Sequence, residues 1–369
     1  MNIDHFDGNL TNEFRSPELS KRILDEINQK VNHHWVIMEM CGGQTHAIMK
    51  YGIDQLLPSQ IEIVHGPGCP VCVTSLELID KAIKIAENRN VILGSYGDML
   101  RVPGSDGSLF SARAKGADVR VFYSALDAVK TAAENPDKEV VFFGIGFETT
   151  APANGISIIQ ARNLHLKNYS VLVSQFCVPP AMNMILSSEG NRVQGFLAAG
   201  HVCAVMGTKE YFPISQKYQV PITVTGFEPV DILLGIEETI EMLENNHPAV
   251  RNAYSRSVSP DGNIHAKQMI EELFEPCDRD WRGIGPIPMS GWKLKDTFAE
   301  FDAEKKFNIS KKAGHENPEC KAGLILLGKL KPEECALFAR ECTPVSPQGA
   351  PMVSSEGACS ACFRYRQKR

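Results

Sequence analysis

Val36-Ile-Met-Glu-Met-Cys-Gly-Gly-Gln-Thr45 is an apolar run of strand length that breaks at a glycine pair and enters a helical stretch. The same change recurs downstream. Ile61-Glu-Ile-Val64 precedes HGPGCPVC, Val91-Ile-Leu93 precedes GSYGD, and Val119-Arg-Val-Phe122 precedes YSALD. Between these runs Leu76, Ile79, Ile83 and Ala86 fall on one helical face. Strands alternating with helices predict an α/β fold on parallel sheet, because a parallel crossover must travel back over the sheet face. A second copy of the order follows. Val140-Val-Phe-Phe-Gly-Ile-Gly-Phe-Glu-Thr149 echoes the opening stretch at an offset of 104 residues. Cys72 and Cys177, Gly94 and Gly200, and Asp127 and Asp231 repeat at 105, 106 and 104. Two related parallel-sheet domains are therefore expected, 36–133 and 137–245, facing a cleft in which the loops at the carboxyl ends of the strands meet. Residues 1–35, with a helix carrying Ile23, Ile27 and Val31 behind a Ser20 cap, would join 250–369 in a smaller, mostly helical third domain.

Of 369 residues 43% are hydrophobic, enough for sizeable cores, so a disordered or fibrous class is excluded. A formal net charge of −6 argues against nucleic acid as a partner, since such binding rests on neutralising phosphates. No run of 18 apolar residues is present, so no membrane span is expected. The opening MNIDHFDGNLTNEF has neither the basic nor the apolar region of a secretory signal, and the expected compartment is the cytoplasm. Eleven cysteines in such a chain point to metal or redox use rather than a disulfide framework. Cys177, Cys203 and Cys277 stand alone and read as small buried apolar residues.

The remaining cysteines fall into three constellations. Cys320, Cys335, Cys342 and Cys359, with Cys362 completing a C-x-x-C, are interleaved with prolines and glycine. Four thiolates can hold tetrahedral zinc or an iron–sulfur cluster, and the wide spacing favours the larger cubane. In His65-Gly-Pro-Gly-Cys69-Pro-Val-Cys72 the thiols precede a helix starting near Thr74 or Ser75, whose dipole stabilises a thiolate. This spacing suits a two-electron dithiol, with metal ligation as the rival reading. Cys41-Gly-Gly-Gln-Thr-His46 places a soft thiolate and a histidine at a strand end, where iron, copper or nucleophilic chemistry belongs. Gly144-Ile-Gly-Phe-Glu148-Thr149 begins like a dinucleotide fingerprint but lacks the third glycine, so NAD is a weak reading. Glu148, His201 and Glu228 are candidates for acid/base groups across the cleft, or for satisfied structural polar residues.

Taken together and in order, CGGQTHAI, GPGCPVC, GFETTAP, GHV, GFEP and MVSSEGAC resemble the HypD family of hydrogenase maturation factors over roughly residues 36–362. The resemblance implies a scaffold for assembling the Fe(CN)2CO moiety of [NiFe] hydrogenase, with redox activity rather than conventional turnover. It implies a HypC-like small chaperone and a HypE-like cyanide donor, served by HypF, as partners. Cys41 would be the ligand of the nascent iron, and Cys69 and Cys72 the redox dithiol beside it, also within reach of iron. Cys320, Cys335, Cys342 and Cys359 would hold a [4Fe-4S] cluster, and His46, His201 and Glu356 would line the assembly cleft. Gln44 stands where many relatives have His, so no ligand role is expected there. Ala322 follows where relatives often show a second cysteine, and Cys362 is additional to the family pattern. The alternatives are a general thiol–disulfide oxidoreductase, resting on CPVC, and a zinc-binding structural protein, resting on the tail.

Overall fold

The computed structural model describes residues 10–309, 314 and 316–366. Among the described residues eleven strands run in chain order as β1 (Trp35–Glu39), β2 (Ile61–His65), β3 (Val91–Ser95), β4 (Asp118–Val121), β5 (Glu139–Gly146), β6 (Tyr169–Phe176), β7 (Gly195–Ala199), β8 (Ile222–Thr225), β9 (Val250–Asn252), β10 (Phe274–Trp281) and β11 (Gly285–Leu294). They form two sheets of orders β2-β1-β7-β8-β9 and β10-β11-β6-β5-β3-β4. The first is parallel throughout. The second is parallel across β6-β5-β3-β4 and closed on one side by an antiparallel β10-β11 hairpin. The expected α/β class is what the structure shows.

The repeat is also visible, but its domain boundaries are not those expected. Strands β1 to β4 start at residues 35, 61, 91 and 118, and β5 to β8 at 139, 169, 195 and 222, offsets of 104, 108, 104 and 104. Each half would make a four-stranded sheet of order 2-1-3-4 alone. Instead β1 and β2 pair with β7 and β8, while β5 and β6 pair with β3 and β4. The halves 36–133 and 137–245 therefore exchange their last two strands and are not separate domains. Equivalent strands present equivalent edges, so a sequence repeat ranks the strands without saying which copy supplies them. The tail is also smaller than expected. The helix Pro17–Lys30 packs on the Pro229–Glu244 helix of the first sheet, β9 joins that sheet, and β10 and β11 join the second. Among the described residues, the short helices of the cysteine-rich tail occupy 316–366. The Pro17–Lys30 helix is capped by Ser16, not Ser20, whose hydroxyl instead donates to the Ser16 carbonyl.

The apolar runs are continuous because both faces of each central strand are covered. Val36 and Met38 of β1, and Met40 just after it, enter a core shared by the two sheets, while Ile37 packs outward with Ile23, Ile27 and Ile236. Along β5, Val141, Phe143 and Ile145 enter the shared core, and Val140 and Phe142 face the opposite side. Among the described residues no helix is long and apolar enough to cross a membrane.

Gly94 of β3 lies under the Phe122 ring, whose nearest carbon would be 2.0 Å from an added Cβ. Gly94→Ala is expected to cost about 1–3 kcal/mol by overpacking. Urea denaturation checks this, and an unchanged midpoint would show that the ring has room to turn away.

Candidate functional site

Four loops at the carboxyl end of the first sheet lie side by side because their strands do: those after β2, β1, β7 and β8. Cys41 ends the loop after β1 and is the N-cap of the Gly42–Tyr51 helix, its Sγ accepting the Gly43 N–H at 3.3 Å. The glycines that follow serve close approach, not a left-handed turn. A Cβ on Gly42 would lie 2.6 Å from Glu356 Cβ, so this pair lets the tail loop settle on the helix.

The loop after β2 is stitched to the Cys41 loop through backbone. Gly66 N–H donates to Glu39 O at 2.9 Å, and Gly42 N–H donates to Gly68 O at 3.0 Å. Gly68 lies so close that a Cβ would come within 2.4 Å of Cys41 N and the Met40 carbonyl. The next residue, Cys69, is the N-cap of a short helix, Pro70–Val73, and is joined to Cys72 as a disulfide with Cα atoms 5.2 Å apart. Both are buried, at 3% and 1% exposure. The longer Leu76–Ala86 helix starts behind its Ser75 cap, as the sequence indicates.

The second half of the chain completes the site. His201, in the helix after β7, places both ring nitrogens 3.8 Å from Cys41 Sγ. Phe227, from the loop after β8, packs edge-on against His201 with centroids 4.9 Å apart. Burial and the nearby Glu356 carboxylate raise the Cys41 thiol well above its usual pKa, so the protein alone keeps it neutral. Desolvation pulls His201 down to about 4. Glu356 is raised, chiefly by desolvation, despite the pull of His46. His46 itself faces the tail, with Nδ1 3.3 Å from the Ser355 carbonyl and Nε2 3.5 Å from the Tyr365 hydroxyl. Gln44 is fully buried, its amide donating to Ala198 O and Thr225 Oγ1, so it ties the helix to β7 and β8.

In the tail, Cys320, Cys335, Cys342 and Cys359 line one small apolar cavity with Ile325, Leu337, Phe338 and Met352. Gln348 N–H donates to Cys342 Sγ at 3.3 Å. A Cβ on Gly349 would lie 2.5 Å from Cys320 Sγ. Burial, then the other three sulfurs, raise Cys359 far above its usual pKa. Cys362 sits one helical turn on and is turned away, packed with Met49 and Ala361. The turn Ala350–Met352 separates the two constellations. Ala350 and Val353 share a core with Cys69 and Cys72, while Met352 faces the cavity. Among the described residues no three His, Cys, Asp or Glu side chains converge tightly enough to hold a single metal ion.

Residues 18–366 match the profile of the family described as "HypD: Hydrogenase formation hypA family". The chain belongs to the HypD family. HypD relatives include hydrogenase maturation factor HypD2 of Bradyrhizobium diazoefficiens, 43% identical with 97% of each chain covered. HypD of Escherichia coli K12 is 42% identical over 96% of this chain and 98% of its own. HypD of Azotobacter vinelandii is 43% identical over 95% and 94%.

Two of the candidate acids serve structural roles. Glu228 is the N-cap of the Pro229–Glu244 helix and forms a bidentate pair with Arg15. Glu148 accepts the Val178 N–H at 2.7 Å, capping the Val178–Ser187 helix, and its other oxygen is buried without a partner. The sequence reading missed Glu39. Its side chain is wholly buried, with Oε2 accepting the Cys41 N–H at 2.9 Å and Oε1 accepting from Thr45 Oγ1 and, at 2.8 Å, from His65 Nδ1. The one signal for it is a lone charge inside an apolar strand.

Desolvation raises Glu148 from 4.5 to about 8. The folded protein then keeps a proton that the unfolded chain loses, so stability falls as pH rises between those values. Glu148→Gln is expected to flatten this decline in urea midpoints measured from pH 5 to 8; parallel curves for the two proteins would contradict the assignment.

Proposed function

We propose that this chain takes part in [NiFe] hydrogenase maturation by holding the nascent Fe(CN)2CO fragment as cargo at Cys41, beside a Cys69/Cys72 redox pair. The observation that carries this reading is the backbone stitching of the CGGQTH and GPGCPVC turns, with His201 closing over Cys41. The names of the relatives, hydrogenase maturation factors, supply the process. A HypC-like chaperone and a HypE-like cyanide donor are the partners proposed, and the cytoplasm the compartment.

The chemistry follows from the residues. Cys41 is a neutral thiol until a cation supplies the charge its buried site lacks; an arriving iron displaces the proton and gains a soft anionic ligand. His201, kept neutral, offers a ring nitrogen to the same space. Glu356 edges that space from the tail side, while His46 contacts the tail at the Ser355 carbonyl. The Cys69–Cys72 disulfide accepts two electrons and two protons to become two thiols, and returns both on closing.

The four tail cysteines suit a resident [4Fe-4S] cluster. The sulfurs ring an apolar cavity, a glycine leaves room at Cys320, and a backbone N–H points at Cys342. One zinc ion would hold its sulfurs only about 3.8 Å apart, from Zn–S bonds of about 2.3 Å. No such convergence is found among the described residues. A cubane bound there would supply electrons singly. The buried state of Cys69 and Cys72 weighs against a general thiol–disulfide oxidoreductase, whose substrate must reach a sulfur.

In a strain lacking its own HypD, Cys41→Ala is expected to lose hydrogenase activity while the purified protein stays brown; full activity would remove the iron-anchor role. Cys335→Ala and Cys342→Ala are each expected to lose the visible iron–sulfur absorption, and a retained spectrum would exclude that residue as a ligand.

A further inference from the structure

We infer that Glu39 is a positioning residue that makes the placement of Cys41 depend on whether Cys69 and Cys72 are bonded or reduced. The inference rests on the proposal that these cysteines serve one site. Its starting point is a residue in an unfavourable place. Glu39 sits in β1, a central parallel strand whose other residues are apolar, and is 0% exposed. Burying a carboxylate there is costly unless its oxygens are satisfied, and an apolar side chain would suit the strand better. Both oxygens are satisfied, and every donor belongs to one of the two functional loops. Cys41 N–H and Thr45 Oγ1 belong to the CGGQTH turn. His65 Nδ1, the register partner of Glu39 across β1 and β2, belongs to the strand end that opens into GPGCPVC.

The backbone of Glu39 continues the same bridge, because its carbonyl accepts Gly66 N–H at 2.9 Å. From Gly66 the chain is pinned to Gly68, where a Cβ would strike the Met40–Cys41 peptide, and Gly68 is followed at once by Cys69. Reduction changes this arrangement. A dithiol reductant closes its own disulfide as the Cys69–Cys72 bond breaks, delivering two electrons and two protons. The two sulfurs then part to van der Waals separation in a close-packed place, and the loop carrying Cys69 has to move. With Glu39 clamping both loops, that movement is passed to Cys41. Without the side-chain clamp only the two backbone bonds at Gly66 and Gly68 carry it, and the coupling weakens.

The test uses the purified full chain, brown as isolated, without partners or iron cargo at Cys41. Cys41 is alkylated by iodoacetamide under anaerobic conditions. The protein is used as the disulfide, or after reduction with dithiothreitol and desalting, and Cys41 labelling is followed by peptide mass spectrometry. The wild type is expected to show Cys41 rates that differ at least about fivefold between the two states, the lower end of ordinary site-to-site coupling. Glu39→Gln keeps the volume but turns one acceptor into a donor, facing either the Cys41 N–H or the Thr45 and His65 donors. Its two rates are expected to converge. A merely structural role would change both rates together and leave their ratio intact. Thr45→Val removes one donor with little change of shape, and decides the matter should Glu39→Gln not fold: a reduced ratio supports the coupling. A wild-type ratio near one, or the wild-type ratio retained in the folded variants, overturns it. Neither outcome touches the hydrogenase assay of Cys41→Ala, so this inference and the proposed function can fail separately.

Discussion

Two backbone hydrogen bonds, Gly66 N–H to Glu39 O and Gly42 N–H to Gly68 O, hold the turn after β1 against the turn after β2. The rest of the site depends on this contact. It needs glycine at Gly68, because any side chain there would occupy the Met40–Cys41 peptide. It needs β1 and β2 to be parallel neighbours in register, so that both turns leave the sheet at one level. It sets a free thiol next to a disulfide in a place where both are buried.

The exchange of strands between the two halves supplies the remaining wall. In an unexchanged fold β1 would lie beside β3, whose loop carries Ser95, Tyr96 and Asp98. With the exchange β1 lies beside β7, and His201 arrives over Cys41 with Phe227 behind it. The equivalent end of the second sheet carries Glu148 and Cys177 at helix starts. Duplication thus gave two similar sheet ends, and one of them carries the cysteine and histidine constellation. The tail then connects its own cysteine cavity to that end through the turn Ala350–Met352 and through the Glu356 loop that settles on the Cys41 helix.

The candidate loops were legible in the sequence because each carries an unusual residue pattern at a strand end. Cys41, His201 and Glu356 lie around one turn, with Cys69 and Cys72 in the next, and the four tail cysteines line one cavity. Three features were not legible. The strand exchange leaves no trace in periodicity, since equivalent strands compete equally for the same edge. The repeat was also aligned slightly wrongly: Cys69, not Cys72, matches Cys177, each being the N-cap of the helix after its strand. Finally, Glu39 looked like an accident in an apolar run. Its meaning depends on His65 lying opposite, a pairing that only the sheet register reveals.

Infrared spectroscopy of the chain isolated from cells with the proposed small chaperone partner tests the central claim most directly. The account predicts stretching bands of iron-bound cyanide and carbon monoxide in the wild-type complex, and their loss in the Cys41→Ala complex while the partner stays bound. Undiminished bands from the Cys41→Ala complex would contradict it, because the iron fragment would then be held elsewhere.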